Sequence, residues 1–192
     1  MKVFRKKLLE NEDIDSILYK CSKGNRKAQE HLYKMHYSYA LSIALRFSDN
    51  RETAAEILND GFLKTFQFLA GGGKIDNFKP WLRRTIINKA IDYFRSEKKL
   101  QKHITYEEYL PEIELNDDII SNLTAEEILL HLQNLPDIYR LVFILFEIEG
   151  YSHKEIGEKL EISEVSSRKN LSRAKTELKN RLQKRGDYEQ VG

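Results

Sequence analysis

Apolar residues recur at steps of three and four along most of this chain, and that spacing is the feature that most limits its fold. Between Arg26 and Phe47 the recurring positions are Ala28, Leu32, Met35, Tyr39, Ile43 and Phe47. Such a repeat places apolar side chains on one face of an α-helix, whereas the alternation typical of a half-buried strand is almost absent. The sequence therefore predicts an all-α protein.

Turn and capping residues divide this pattern into segments. Gly150 is expected to end one helix, and Ser152 with Glu155, and Ser163, are expected to cap the starts of the two helices that follow. The glycines at 71–73 end one helix, because glycine tolerates the left-handed turn that follows a helix. The stretch 101–122 contains Pro111 and shows no clear period, which favours a linker. Helices are expected at about 15–22, 26–47, from 49 to the glycines, 79–99, 125–134, 136–149, 153–160 and 164–185.

Charge separates the same parts of the chain. The net charge is only +2, but its distribution is uneven. Residues 79–103 carry eight Lys or Arg and two acids, and residues 164–185 carry the same numbers. Between them, residues 104–127 carry eight acids and no base. Two basic blocks that flank an acidic one indicate two surfaces suited to anionic partners.

Length and composition bound the class of protein. A chain of 192 residues suits one or two small domains, and the lone Cys21 cannot build a disulfide framework. No apolar run reaches the length of a membrane span, so we expect a cytoplasmic protein. We predict an N-terminal helical domain over 1–100, an acidic linker over 101–122 and a C-terminal domain over 123–192.

The C-terminal segment "GYSHKEIGEKLEISEVSSRKNLSRAK", residues 150–175, combines a short helix, a tight turn and a longer helix. That is the spacing of a helix-turn-helix, in which the second helix enters the major groove of DNA. We expect Ile156 and Leu160 on the inner side of the first helix and Ile162 at the turn.

On a helical wheel of the second helix, Leu171, Ala174, Leu178 and Leu182 share one side with the small Ser167. The other side carries basic and polar residues that could contact phosphates and base edges. A solvated surface helix would show a similar face, but the turn and the local basic excess favour DNA. The candidate duplex-reading residues are Ser166, Arg168, Lys169, Asn170 and Arg173.

The helix predicted over 79–99 carries a second, mixed stripe beside its apolar face. Trp81, Asn88, Asp92 and Arg95 repeat at steps of seven, four and three. Basic surfaces with exposed aromatic rings suit single-stranded nucleic acid, because cations follow the backbone and rings stack on unpaired bases. The tryptophan could equally be a core residue, and we expect it to be partly buried and partly available.

Three segments resemble one family in their order and spacing. They are "ETAAEILNDGFLKTFQFL" (52–69), "FKPWLRRTIINKAIDYFR" (78–95) and "LPDIYRLVFILFEIEGYSHKEIGEKLEIS" (135–163). Together they are similar to the extracytoplasmic-function (ECF) sigma factors of bacterial RNA polymerase. The resemblance covers about 15–100 and 123–185. It implies a two-domain initiation factor whose first domain binds the polymerase clamp and opens the −10 element, and whose second reads the −35 element as duplex.

The resemblance also implies roles for individual residues. The loop 71–78 would capture an unstacked −10 base, at a cost of a few kcal/mol that a pocket must offset. The implied single-strand set is Ile75, Asp76, Asn77, Phe78, Trp81, Arg84, Asn88, Asp92 and Arg95. The implied polymerase-docking set is Glu56, Asn59, Asp60, Leu63 and Gln67.

The chain departs from the family pattern at three places. It has Asn59 where the family usually has Gln, Val165-Ser166 where the family often has Gly-Thr, and Asn170 where the family often has Arg. The last two departures lie in the predicted recognition helix, so the resemblance does not carry over a promoter sequence. The acidic linker could mimic a nucleic-acid backbone in a basic polymerase channel, or act as a solvated tether.

Two other classes of protein are alternatives to a sigma factor. A self-sufficient, dimeric helix-turn-helix regulator would not require the stripe from Trp81 to Arg95 or the helix from Glu56 to Gln67. A helical enzyme acting on nucleic acid would need a metal or nucleophile set, and the five histidines are scattered. We therefore expect no catalytic centre, metal or cofactor, and as partners core RNA polymerase, promoter DNA and an anti-sigma factor.

Overall fold

The computed structural model describes residues 13–100 and 125–189, and every regular element in these stretches is a helix, as predicted. None of these helices has an apolar stretch long enough to span a membrane. A π-helical turn, Ile144–Ile148, continues the sixth helix. In chain order the helices are α1 (Ile14–Ser22), α2 (Arg26–Phe47), α3 (Arg51–Ala70), α4 (Phe78–Leu100), α5 (Ala125–Gln133), α6 (Asp137–Phe143), α7 (His153–Leu160) and α8 (Glu164–Glu189).

The described residues divide into two compact units. The first contains residues 13–44 and 52–90, and the second contains 45–51, 91–100 and 125–189. The predicted acidic linker lies outside the described residues. The domain boundaries drawn on either side of it therefore stay a prediction.

The first unit buries most of the apolar positions that the three-and-four spacing predicts, but Met35 of α2, which the spacing places on the buried stripe, is 48% exposed. Each large aliphatic or aromatic side chain that is fully buried stabilises the fold by roughly 1.5–3 kcal/mol. Helices α3 and α4 approach closely at Gly61, where a Cβ would lie 2.9 Å from Cγ1 of Ile86. The fully buried side chains are Ile17 of α1, Leu32 and Ile43 of α2, Leu58 and Phe62 of α3, and Leu82 and Ile86 of α4.

In the second unit, α5 packs against α8. Leu132, Leu135, Ala174 and Leu178 form one buried cluster. Next to it, the buried Arg140 of α6 donates from Nη1 to the backbone oxygen of Gln133 at 3.0 Å, so its guanidinium satisfies a carbonyl at the end of α5. The sequence pattern marks Arg140 only as a charged residue on a helix, and this anchoring role was not predicted.

The spacing predicts a single helix over 136–149, but the backbone changes at Phe143. From Ile144 to Ile148 the turn widens to a π-helix, and the N–H of Glu149 donates to the carbonyl of Ile144, five residues back, at 3.0 Å. Ile144 and Leu145 are both fully buried there. Gly150, with a φ of 74°, ends the element as predicted.

The turn between α7 and α8 is built from a cap, a glycine and a left-handed residue. Ser152 and Glu155 form the reciprocal capping box that starts α7. Glu161 closes α7 with a φ of 56°, and a Cβ at Gly157 would lie only 2.8 Å from the backbone oxygen of Ile162. The Oγ of Ser163 then accepts from the N–H of Ser166 at 3.0 Å and caps α8, as predicted.

Candidate nucleic-acid interface

The inner side of α8 is defined by its buried residues. Ser167, Leu171, Ala174 and Leu178 are all buried, in agreement with the helical wheel. Ile156 and Leu160 of α7 are buried as well. The opposite side of α8 is therefore the one that can meet another molecule.

The predicted duplex-reading residues fall into two groups. Arg168 and Lys169 are exposed, whereas Ser166, Asn170 and Arg173 are half-buried at the edge of that side. The guanidinium of Arg168 pairs with Glu164 at 2.6 Å, and the hydroxyl of Ser166 lies 2.8 Å from that of Ser163. The polar groups at the start of α8 thus already have partners on the protein.

Val165 is the residue of this side that the sequence prediction missed. Its side chain is 61% exposed. It lies nine positions before the buried Ala174, which places it about 180° away around the helix. The predicted wheel also places Val165 on this side, but an apolar residue is not among the types expected to contact phosphates or to hydrogen-bond base edges.

A buried hydrogen bond connects α7 to α8. Nδ1 of His153 lies 3.0 Å from the hydroxyl of Ser167, and the imidazole stacks on Phe146 with ring centroids 4.3 Å apart. Burial, and after it the charge of Arg168, lowers the pKa of His153 below its ordinary value. The neutral imidazole of His153 thus holds the buried side of α8 against α7.

The loop between α3 and α4 separates the predicted single-strand residues into core and surface. Ile75 and Phe78 are buried, and Phe78 meets the edge of the buried His36 ring with centroids 4.7 Å apart. The side chains of Asp76 and Asn77 are exposed. Two of these four side chains thus lie in the core and two at the surface.

Trp81 is half-buried, as predicted, and it lies against a second ring. The centroid of Phe68 is 5.2 Å away, and Phe68 is itself 39% exposed. A Cβ on Gly73 would come within 2.4 Å of the Phe68 ring, so the glycine leaves room for that ring. The two rings form a partly exposed aromatic edge beside the loop, and Phe68 was not predicted as part of it.

The remaining predicted single-strand residues are Arg84 and the stripe residues Asn88, Asp92 and Arg95, and all four lie on α4. Arg84, Asn88 and Asp92 are exposed. Arg95 is half-buried and, within the second unit, donates from Nη2 to the backbone oxygen of Glu158 at 3.1 Å. Three of these four side chains are thus exposed, and the fourth, Arg95, is hydrogen-bonded within the protein.

The predicted docking residues share one exposed face of α3. Glu56, Asn59, Asp60, Leu63 and Gln67 are all exposed, and Leu63 is 55% exposed although it is apolar. The hydroxyl of Tyr33 donates to the amide oxygen of Asn59 at 2.9 Å, which orients that side chain. Leu63 is thus an exposed apolar residue between acidic and amide side chains on this face.

The described part of the chain holds no cluster of three or more His, Cys, Asp or Glu side chains that could bind a metal ion. His36 is buried in the core, with Nδ1 3.2 Å from the carbonyl oxygen of Leu32. The features with chemical meaning are therefore surfaces: the outer sides of α3, α4 and α8 and the loop before α4.

Comparison with known proteins matches both halves of the chain. The model described as Sigma-70 region 2 matches residues 32–100, and the one described as Sigma-70, region 4 matches residues 125–178. These regions together span more than half of the chain. A chain carrying both is a transcription initiation factor of the sigma-70 class.

Individual relatives define the group within that class. RNA polymerase sigma factor YlaC of Bacillus subtilis is 28% identical over 177 residues, which cover 87% of this chain and 99% of the relative. ECF RNA polymerase sigma factor SigM of the same organism is 25% identical over 163 residues, covering 78% and 92%. The solved structure of CnrH in complex with the cytosolic domain of CnrY covers 89% of this chain and 98% of its own at 22% identity, with a TM-score of 0.42.

The chain belongs to the ECF sigma factors and directs RNA polymerase to promoters, as predicted. The alternative of a self-sufficient regulator is not favoured, because a region 2 has no role in a repressor that only needs a helix-turn-helix.

Proposed function

We propose that this sigma factor reads the −35 element as a duplex with α8 and captures the −10 element as a single strand with the 71–77 loop and the outer side of α4. One observation supports both the −35 and the −10 assignment. In each matched sigma region one helix, α4 or α8, exposes a polar, basic side, and the opposite side of that helix is buried in the core.

For the −35 element, the contact would be made by the exposed side of α8. Arg168 and Lys169 can neutralise phosphates, while the half-buried Asn170 and Ser166 lie at the edge of the helix where a base edge or sugar could reach them. The cap at Ser163 leaves the N-terminus of α8 well formed. A rigid helix end is what a groove contact requires.

For the −10 element, the exposed Asp76 and Asn77 would contact an extruded base, and the half-buried Trp81 ring would offer it a stacking surface. Arg84 and Asn88 would follow the strand along α4. Stacking on an aromatic side chain is worth about 1–3 kcal/mol per base, which is comparable to the cost of extruding one.

The exposed face of α3 that carries Leu63 and Asp60 is proposed to dock on the clamp of core RNA polymerase. This assignment rests on the family and on the exposure of an apolar residue among polar ones. An anti-sigma partner and action in the cytoplasm stay predictions from the family.

Reconstitution with purified bacterial core RNA polymerase tests the proposed function. Transcription from a promoter library should depend on adding this chain, and the selected promoters should share two separated elements. Opening of the −10 region can be followed by permanganate reactivity of unpaired thymines. Tight binding to a palindromic duplex without any affinity for core polymerase would contradict the proposal and favour the regulator.

A further inference from the structure

We propose that Val165 reads a thymine methyl group in the −35 duplex and so sets part of the promoter preference of this factor. The inference rests on the proposed function, because it requires α8 to enter the major groove. It assigns a specificity-determining residue at a position where the chain departs from the pattern of its family.

Val165 lies where a recognition helix meets base edges. It is the second residue of α8, directly after the Ser163 cap and Glu164. The N-terminal residues of such a helix are the ones that contact bases in helix-turn-helix proteins. Because Val165 is about 180° from Ala174, which is fully buried, its side chain points away from the core.

The side chain of Val165 contributes little to the stability of the fold. Val165 is 61% exposed, and a β-branched residue is a weaker helix former than alanine. Isolated exposed apolar residues are common on protein surfaces, so exposure alone decides nothing. Val165 differs from such residues because it lies in the turn of α8 that faces the groove.

The neighbouring side chains determine what Val165 would meet. Lys169 lies one turn further along the same face and is exposed, so it can bind a phosphate beside the groove. Ser166 and Arg168 already interact with Ser163 and Glu164. The first turn of α8 therefore offers an apolar contact with cationic charge next to it, which suits DNA better than an apolar protein surface.

The chemistry of the major groove then selects the base. Among the edges of the four base pairs, the C5-methyl of thymine is the apolar group displayed there, and small apolar side chains contact it. The two γ-methyl groups of Val165 are complementary to that methyl and offer no hydrogen bond to the other bases.

Removing the thymine methyl tests this contact directly. Holoenzyme made from the full chain and bacterial core polymerase first selects its preferred −35 duplex from a randomised pool. Each thymine of that duplex is then replaced singly by deoxyuridine, which deletes the methyl and keeps the hydrogen-bonding groups. One replacement should weaken wild-type binding about fourfold, as expected for roughly one buried carbon. Holoenzyme carrying Val165→Ala should bind the two duplexes equally.

Two matched variants serve as controls. Val165→Thr keeps one γ-methyl and should retain a reduced preference for thymine. Leu130→Ala removes another exposed apolar side chain, 59% exposed on α5, and should keep the full wild-type preference.

The proposal is overturned if no deoxyuridine replacement affects wild-type binding, or if Val165→Ala still distinguishes the two duplexes. A loss of core polymerase affinity in Val165→Ala, with unchanged discrimination, would assign Val165 to a protein contact instead. If the holoenzyme selects no duplex and starts no promoter-dependent transcription, the proposed function itself fails, and this outcome is distinct from methyl-insensitive recognition.

Discussion

Nδ1 of His153 lies 3.0 Å from Oγ of Ser167, and this bond joins the two helices of the helix-turn-helix inside the protein. Ser167 is fully buried and His153 nearly so. In the neutral imidazole one ring nitrogen accepts, so the serine hydroxyl can donate to it. The orientation of the exposed side of α8 thus depends on a polar contact on its opposite, buried side.

Replacing Ser167 with Ala should lower the free energy of unfolding by about 1–2 kcal/mol, because the buried imidazole nitrogen loses its partner. Urea denaturation of the full chain measures the change. Ser38→Ala, which removes an exposed hydroxyl from α2, should leave the stability nearly unchanged. Equal stability of the Ser167 variant and the wild type would show that the bond contributes nothing.

Acidification below the ordinary histidine pKa should destabilise the fold. Burial is the main cause that lowers the pKa of both His36 and His153 from 6.5. Since the unfolded chain binds these protons more readily, their contribution is complete above pH 6.5 and is lost as the pH falls through the lowered values. Urea denaturation at pH 7.5, 6.5 and 5.5 measures this slope.

Substitution of the two histidines tests whether they cause this dependence of stability on pH. A double variant, His36→Gln with His153→Gln, should show a flatter dependence on pH between 6.5 and 5.5 than the wild type. The comparison concerns the slope and not the absolute stability, because both substitutions disturb buried contacts. An identical slope would mean that other groups are responsible.

Gly157→Ala should disrupt the helix-turn-helix turn. In an exposed helix interior this change is stabilising by up to about 1 kcal/mol, but here the new Cβ would lie 2.8 Å from the backbone oxygen of Ile162. We expect a net loss of about 1–3 kcal/mol and weaker duplex binding, as for other strained core insertions. Thermal unfolding and fluorescence anisotropy with −35 duplex measure the two effects.

Gly61→Ala provides the matched comparison. Its Cβ would lie 2.9 Å from Cγ1 of Ile86, which belongs to a fully buried, β-branched side chain with little freedom to turn. Gly61→Ala should therefore also cost about 1–3 kcal/mol of stability, but it should leave −35 duplex binding unchanged, because Gly61 lies outside the helix-turn-helix. Equal weakening of duplex binding by both variants would contradict the assignment of the tight turn.

Periodicity was enough to place the helices and their buried faces, since a 3.6-residue repeat fixes which side chains share a side. The cap at Ser163 and the capping box at Ser152 followed from short local patterns. The π-turn at Ile144 and the anchoring role of Arg140 depend on tertiary contacts between distant residues, so no local pattern indicated them. Val165 is apolar, so a prediction based on residue types that contact phosphates and hydrogen-bond base edges does not include it, although it lies opposite the buried Ala174.

Leu63→Ala should weaken binding to core RNA polymerase about tenfold without changing stability. The side chain is 55% exposed, so its removal costs the fold little, whereas burying a leucine side chain in an interface is worth about 1.5–3 kcal/mol when the burial is complete. Fluorescence-detected titration of labelled chain with core polymerase measures the affinity. Met35→Ala, which truncates an exposed apolar residue on α2, is the control and should bind normally.

Lys169→Ala should reduce the salt dependence of duplex binding. Neutralising one phosphate contributes about 0.9 to the slope of log K against log salt, so losing one contact should lower the slope by about one. Lys169 is exposed on the DNA-facing side of α8. The control is Lys34→Ala, which removes an exposed lysine of α2 paired with Glu30, and it should leave the slope unchanged. Because phosphate contacts carry no sequence information, Lys169→Ala should weaken all duplexes alike, whereas Val165→Ala should change their ranking. If both variants only reduced affinity, α8 would bind DNA without reading it through Val165.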